Sequence, residues 1–272
     1  MSGLERLPSP KGGSLTSSSR QPGPRLSFRQ RLTWAAHFFK ALAYQYHRDF
    51  GERVAGLIPS DAVIVDVGAH SGQFAKLFAR LAPKGRVYAF EPGAYALSIL
   101  RPVLRLRGFR NVVVVPLGLS DRPGSETLSL PLKKRGSVGF GLAHIGAEIS
   151  GRTTIVQQIA LTTLDAFAAE QGLARLDFIK VDIEGWEPHF LRGAAATLAR
   201  FRPVVMIEVA QPALERAGAA PEEIFAALAP LDYRIFKTRE HDAYRMQPVS
   251  GFEGSADYLF VPAERAGRVA EG

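Results

Sequence analysis

The sequence predicts an α/β protein built on one Rossmann-like, doubly wound sheet, mostly parallel and finished by a C-terminal antiparallel hairpin. Three observations carry this. From residue 61 onward, short Val/Ile-rich runs alternate with helical stretches, the rhythm of βα units. The runs are continuously apolar, as expected of parallel strands covered on both faces. The 272 residues, 46% hydrophobic and 22% charged with a mean hydropathy of zero, suit a globular chain with its own core. No repeat at solenoid periods competes with this reading.

Residues 1–31 come before the sheet. They are rich in Ser, Gly and Pro, carry Arg6, Lys11, Arg20, Arg25, Arg29 and Arg31 against Glu5, and have too little apolar area to fold, so we expect a flexible basic tail. In residues 32–60, Leu32, Ala35, Phe39, Leu42 and Tyr46 recur at helical spacing, with Trp34 and Phe38 widening the stripe. Lys40 and Arg48 make only a thin basic rim, which favours a helix docked on its own domain over a weak association with a membrane surface.

The βα region then runs through AVIVDV, a helix from Ser71, RVYAFE, and a helix after Pro92 that Pro102 should kink or end, with Gly108 as its stop. NVVVVP is the third strand. Between Asp121 and Ala160 the rhythm lapses, leaving SETLSL and TTIVQQIAL as an added antiparallel pair. LTTLDAFAAEQG reads as a helix capped by Thr162 or Thr163 and ended at Gly172. After it come the strand LDFIKVD, a helix across Trp186 to Arg200, the strand PVVMIEV and a helix opened by Pro221. YRIFK and ADYLFVP form the hairpin at the sheet edge, and residues 263–272 are expected to trail off.

Charge and cysteine content narrow the function classes. Most of the net charge of +8 sits in the first 31 residues, so no basic globular face for nucleic acid is indicated. With no cysteine there is no disulfide, thiol nucleophile or Cys-ligated zinc. No signal-like apolar core and no run of 18 apolar residues occurs, and the expected location is the cytoplasm.

In an open parallel sheet the ligand lies beyond the carboxyl ends of the strands. The first strand ends in Asp66-Val67-Gly68-Ala69-His70-Ser71-Gly72, whose glycines permit a tight turn and close backbone approach, and the second ends in Glu91, placed to accept from ribose hydroxyls. G-x-G-x-x-G is absent, so a ribose ligand without a pyrophosphate, S-adenosylmethionine, suits the pattern better than a nicotinamide or flavin. The competing reading of the glycines is a plain turn and helix cap. The third strand leads to Ser120 and Asp121, either an adenine contact or a simple Ser-Asp turn. Lys180, Asp182 and Glu184 follow at period two at the end of the fourth strand, as functional groups or as a structural Lys180–Asp182 ion pair.

VDVGAHSGQFA, VYAFEP, LGLSD, LTTLDAF, DFIKVDIEGWEPHFLRGA and RPVVMIEV, in this order, resemble the FkbM family of S-adenosylmethionine-dependent methyltransferases over roughly residues 61–210. The Lys-x-Asp-x-Glu-Gly-x-Glu segment is the most specific piece; His70 and Ser71 depart from the family's usual residues. The resemblance implies a class I methyltransferase fold over 61–262 and methylation of hydroxyls on sugars, glycoconjugates or secondary metabolites. It assigns Asp66, Gly68 and Gly72 to the cofactor loop, Glu91 to the ribose, Ser120 and Asp121 to the adenine end, and Asp182, Glu184, Gly185 and Glu187 to the border of the reacting centre.

An acceptor alcohol must lose a proton, and Asp182 is the best-placed base, with Glu184, His144 and His189 as further candidates. Asp182, Glu184, Glu187 and Glu208 would also be oxygen ligands for Mg²⁺, but no compact ligand motif calls for a metal and none is expected. Two rival functions share these features: an NAD-linked oxidoreductase and a non-catalytic adenosyl-ligand binding module.

Overall fold

The structure, a computed structural model, describes residues 27–131, 144–145 and 154–269. The expected basic tail lies almost wholly outside the described residues, as does the His144 side chain. The chain begins with α1 (Phe28–Ala43) and α2 (Arg48–Val54). It continues through β1 (Val63–Val67), α3 (Gln73–Leu81), β2 (Arg86–Phe90), α4 (Ala94–Leu106) and β3 (Val112–Val115). Four strands follow, β4 (Gly118–Leu119), β5 (Gly124–Pro131), β6 (His144–Ile145) and β7 (Thr154–Thr162). After α5 (Leu164–Glu170) and β8 (Phe178–Val181) come α6 (Glu187–Arg192), α7 (Ala195–Phe201), β9 (Val204–Val209), α8 (Gln211–Arg216) and α9 (Pro221–Leu228). The last strands are β10 (Tyr233–Thr238), β11 (Gln247–Val249) and β12 (Ala256–Pro262).

The main sheet has the order β11-β10-β12-β9-β8-β1-β2-β3. The five strands from β3 to β9 are parallel, and β12 enters antiparallel between β9 and β10. The order reverses at β1, which pairs with both β2 and β8, so the switch-point crevice opens above these strands. A second sheet, β4-β7-β5-β6, contains the expected SETLSL and TTIVQQIAL pair.

Strand periodicity places both core and site. Val65, Val67, Ile179, Val181, Val205 and Ile207 face α5, α6 and α9. The alternate residues Ile64, Val87, Phe178, Val204 and Met206 face Phe50 and Val54 of α2 and Phe78 of α3. Continued along that second face, period two delivers Asp66, Glu91, Lys180, Asp182 and Glu208 to the carboxyl end, with Asp257 opposite Glu208 across the β9–β12 ladder.

Four local expectations need correction. Pro102 neither ends nor breaks α4: the helix continues to Leu106 because Ile99, Leu100, Val103 and Leu104 are all buried on one side. The single helix across Trp186 to Arg200 is two, α6 and α7. A Cβ on Gly193 would sit 1.9 Å from the Ser120 carbonyl oxygen, so the chain presses backbone against backbone there. The β10/β12 pair is not outermost, since β11 forms from the polar connection and pairs with β10. Ala263–Arg268, expected to trail off, form a 3₁₀ turn, and Val269 after it is buried against the second core layer. Among the described residues no helix is long and apolar enough to cross a membrane.

Candidate active site

A cavity of about 400 Å³ opens at the carboxyl ends of β1, β2, β8 and β9. Its volume falls within the roughly 300–1,000 Å³ of small-molecule sites. One end is made by the loop after β1 and the turn after β2. Gly68 takes φ +75°, and a Cβ there would meet the Asp182 carbonyl oxygen at 2.0 Å, so only glycine fits. Glu91, 8% exposed, accepts from the backbone N–H of His70 (2.9 Å) and of Gly93 (2.7 Å), one on each oxygen. Burial pushes its carboxyl up to about 7, against the pull of those two N–H groups. Leu128, Leu130, Ile145 and Ile155 of the second sheet supply an apolar wall beside it.

The other end is charged. Lys180 is buried, with its ammonium 3.2 Å from Asp182 and 3.8 Å from Asp66, and it also donates to the Gly68 carbonyl at 3.2 Å. Burial alone would push Asp182 up, but Lys180 and a hydrogen bond shared with Glu208 outweigh it and hold Asp182 low. Glu208 is driven the other way, first by the Asp182 charge and then by burial, so the shared proton resides on Glu208. Burial, reinforced by Asp182, lifts Asp257 to about 7. Glu184 lines the same end at φ +54°, three residues past β8, and burial raises it too.

Several expected site residues stand elsewhere. Asp66 is fully buried beneath the loop, and neither of its oxygens has a hydrogen-bond partner; burial lifts it to about 6 despite Lys180. Gly72 is the N-cap of α3, where a Cβ would strike Leu100 at 2.6 Å. Ser120 and Asp121 do not line the cavity. The Ser120 hydroxyl accepts from Trp186 Nε1 and donates to Asp121, which faces Arg192 at 3.9 Å. Glu187 accepts from the backbone N–H of Ile183 and Gly185 and staples that turn from within. His189 stacks on Trp186 away from the cavity. Among the described residues no three acids or histidines come together to hold a metal.

The sequence reading missed His47, Phe74, Glu240, Tyr244 and Asp257, all of which line the cavity. His47 stacks on Phe74 at 4.4 Å, shares a hydrogen bond with the Tyr244 hydroxyl and lies 3.7 Å from Glu240. Burial lowers its pKa, with Glu240 opposing. Lys180 lies 5.1 Å from the Phe74 ring centre, a cation–π contact that helps keep the ammonium charged.

The sheet, parallel from β3 to β9 with antiparallel β12 inserted between β9 and β10, is that of a class I methyltransferase fold, and its switch-point cavity carries an acid at the end of the second strand. The model of the FkbM methyltransferase domain matches residues 66–235, and the chain belongs to that family. It is 30% identical to the AMB antimetabolite synthetase AmbE of Pseudomonas aeruginosa over 60% of this chain, a match that spans 9% of AmbE. It is 27% identical to the 2-O-methyltransferase NoeI of Sinorhizobium fredii, over 66% of this chain and 76% of NoeI. The crystal structure of a methyltransferase FkbM from Methylobacillus flagellatus aligns with a TM-score of 0.48 at 17% identity, over 85% of this chain and 59% of that one. The family places the chain among methyltransferases rather than NAD-linked oxidoreductases.

Proposed function

We propose that this protein is an S-adenosylmethionine-dependent O-methyltransferase acting in the cytoplasm on a hydroxyl of a sugar, glycoconjugate or secondary metabolite, with residues 61–262 as the catalytic unit. The observation that carries the reading is one cavity with a hydroxyl-accepting end at Glu91 and a proton-accepting end at Asp182. Glu91 fits the donor: a carboxylate has about four acceptor sites, two are taken by backbone N–H groups, and two remain for ribose hydroxyls. The name of NoeI, a 2-O-methyltransferase, supports a hydroxyl acceptor.

S-adenosylmethionine supplies an already activated methyl group. The chain's work is to hold an acceptor oxygen in line with it and to receive a proton. As the new C–O bond forms and the S–CH₃ bond breaks, the acceptor's O–H proton passes to Asp182, which Lys180 keeps ionised beforehand. Glu208, protonated, donates a hydrogen bond that holds the Asp182 carboxylate in place. Gly68 and Glu91 touch the donor, while Asp66 and Gly72 support the loop from below. Ser120, bonded to Trp186 and Asp121 outside the cavity lining, supports the loop after β4 instead of contacting the donor. Glu184 borders the acceptor.

Calorimetry with S-adenosylmethionine and NAD, followed by incubation with methyl-labelled donor and a cell extract, tests this. A labelled methyl ether is the expected product. Labelled methylamine would refute hydroxyl specificity, and binding of NAD alone would refute the donor.

A further inference from the structure

We propose that α1 docks this protein on an anionic membrane surface, with Phe28, Leu32 and Phe39 entering the headgroup region among cations that face lipid phosphate. The helix has two apolar faces. One is used inside the molecule: Trp34, Phe38, Ala41 and Leu42 pack with Tyr95, Ile99 and Val103 of α4, and Trp34 Nε1 donates to Ser98 at 2.9 Å. The other is uncovered, with Phe28 76%, Leu32 59% and Phe39 64% exposed. At 3.6 residues per turn these three side chains fall within about 40° of one another around the axis, a single stripe along the helix. Of the six large apolar side chains exposed among the described residues, these three and Tyr44 belong to α1 and its C-cap. That is a concentrated patch and not the usual scatter.

Charge selects the occupant. Residues 6–48 contain eight Lys and Arg and no Asp or Glu, which equals the formal net charge of the whole chain, +8. Arg29, Arg31 and Lys40 lie on α1 itself, and Arg6, Lys11, Arg20 and Arg25 lie in the sequence that leads into it. A second copy laid on the same stripe would bring two all-cationic segments together, which repulsion opposes. An anionic bilayer satisfies both features, since apolar insertion and attraction of Lys/Arg to acidic lipid add, and each alone is weak.

The full chain is sedimented with vesicles of phosphatidylcholine alone and of phosphatidylcholine with about one-third phosphatidylglycerol. Binding is expected only to the acidic vesicles, weaker as salt rises. It should fall roughly tenfold or more in F28S/L32S/F39S and in R29Q/R31Q/K40Q. None of these residues lines the cavity, so S-adenosylmethionine binding and Tm report that both variants remain folded. Because the chain has no cysteine, Leu32→Cys carrying an environment-sensitive fluorophore gives a direct reading, and a blue shift on acidic vesicles is expected. Absence of sedimentation with acidic vesicles, undiminished binding by F28S/L32S/F39S, or an unshifted fluorophore would overturn the proposal. So would a concentration-dependent dimer that F28S/L32S/F39S abolishes, since a second copy would then cover the stripe.

Discussion

Lys180 decides the protonation of the charged end of the cavity. It holds Asp182 ionised, and the Asp182 charge in turn keeps the proton on Glu208. Asp182→Asn removes the proton acceptor while preserving size, so single-turnover methyl transfer should slow by roughly 10²–10⁴-fold. Lys180 would retain Asp66 at 3.8 Å and the Gly68 carbonyl. Unfolding free energy measured on the same sample should therefore drop by less than the about 3–5 kcal/mol of a buried pair stripped of its partner. Near-normal transfer by a stable Asp182→Asn protein would shift the base to Glu184 or His47. Glu91→Ala is expected to weaken donor binding by about 1.5–3 kcal/mol in calorimetry. It should also cost stability, because the His70 and Gly93 N–H groups lose their acceptor; a stability loss with unchanged binding would make Glu91 structural only. Glu91, Asp182 and Glu184 were legible as polar residues ending apolar strands. His47 and Asp257 were not, because their places come from tertiary packing. His47 caps α2 in a left-handed conformation, and Asp257 meets Glu208 only because β12 inserts beside β9.

At the scale of elements, apolar runs located every parallel strand of the main sheet, whereas the breaks within helices depended on neighbours. Pro102 stays inside α4 because four buried side chains repay the lost backbone bond, and Gly193 divides α6 from α7 because the Ser120 carbonyl lies against it. No periodicity reveals that Lys76, on α3, is 1% exposed and donates to the carbonyls of Ala41 and Tyr44 at the end of α1. There it satisfies carbonyls that the helix leaves open and complements the helix dipole. Burial lowers its pKa to about 8, with Arg80 and Arg107 adding to the effect. Lys76→Met should leave those carbonyls unsatisfied and destabilise the protein by about 1–3 kcal/mol. Its signature should be local: amide exchange in α1 should rise well before exchange in β1 and β8. Uniform acceleration across the sheet would show that Lys76 supports the core and not the α1 junction.

Across the whole molecule, the same crevice that makes a site makes a pH liability. Burial, the leading cause at each, raises Asp66 to about 6, Glu91, Glu187 and Asp257 to about 7, and Glu184 as well; Glu208 is raised by Asp182 first. Unfolded carboxyls titrate near about 4. A group that holds its proton more tightly when folded gives its full stabilisation below the unfolded value and loses it as pH rises through the folded value. Asp182 is lowered, so its contribution is complete above about pH 4 and constant through the neutral range; Lys180, raised, is constant well below about pH 10. His47 and His189 are lowered and favour the fold as pH rises toward about 6.5, two groups against six. The free chain should therefore lose stability between about pH 5 and pH 8, seen as a falling urea midpoint. Ribose hydroxyls donate to the ionised form of Glu91, so donor affinity should rise as pH passes about 7, and saturating donor should flatten the stability slope. Glu91→Gln does not titrate and should lose the pH dependence of binding while keeping most of the slope, which the other five carboxyls maintain. A urea midpoint that rises from about pH 5 to pH 8 in the free chain would mean that these carboxyls are ionised and partnered before any donor binds.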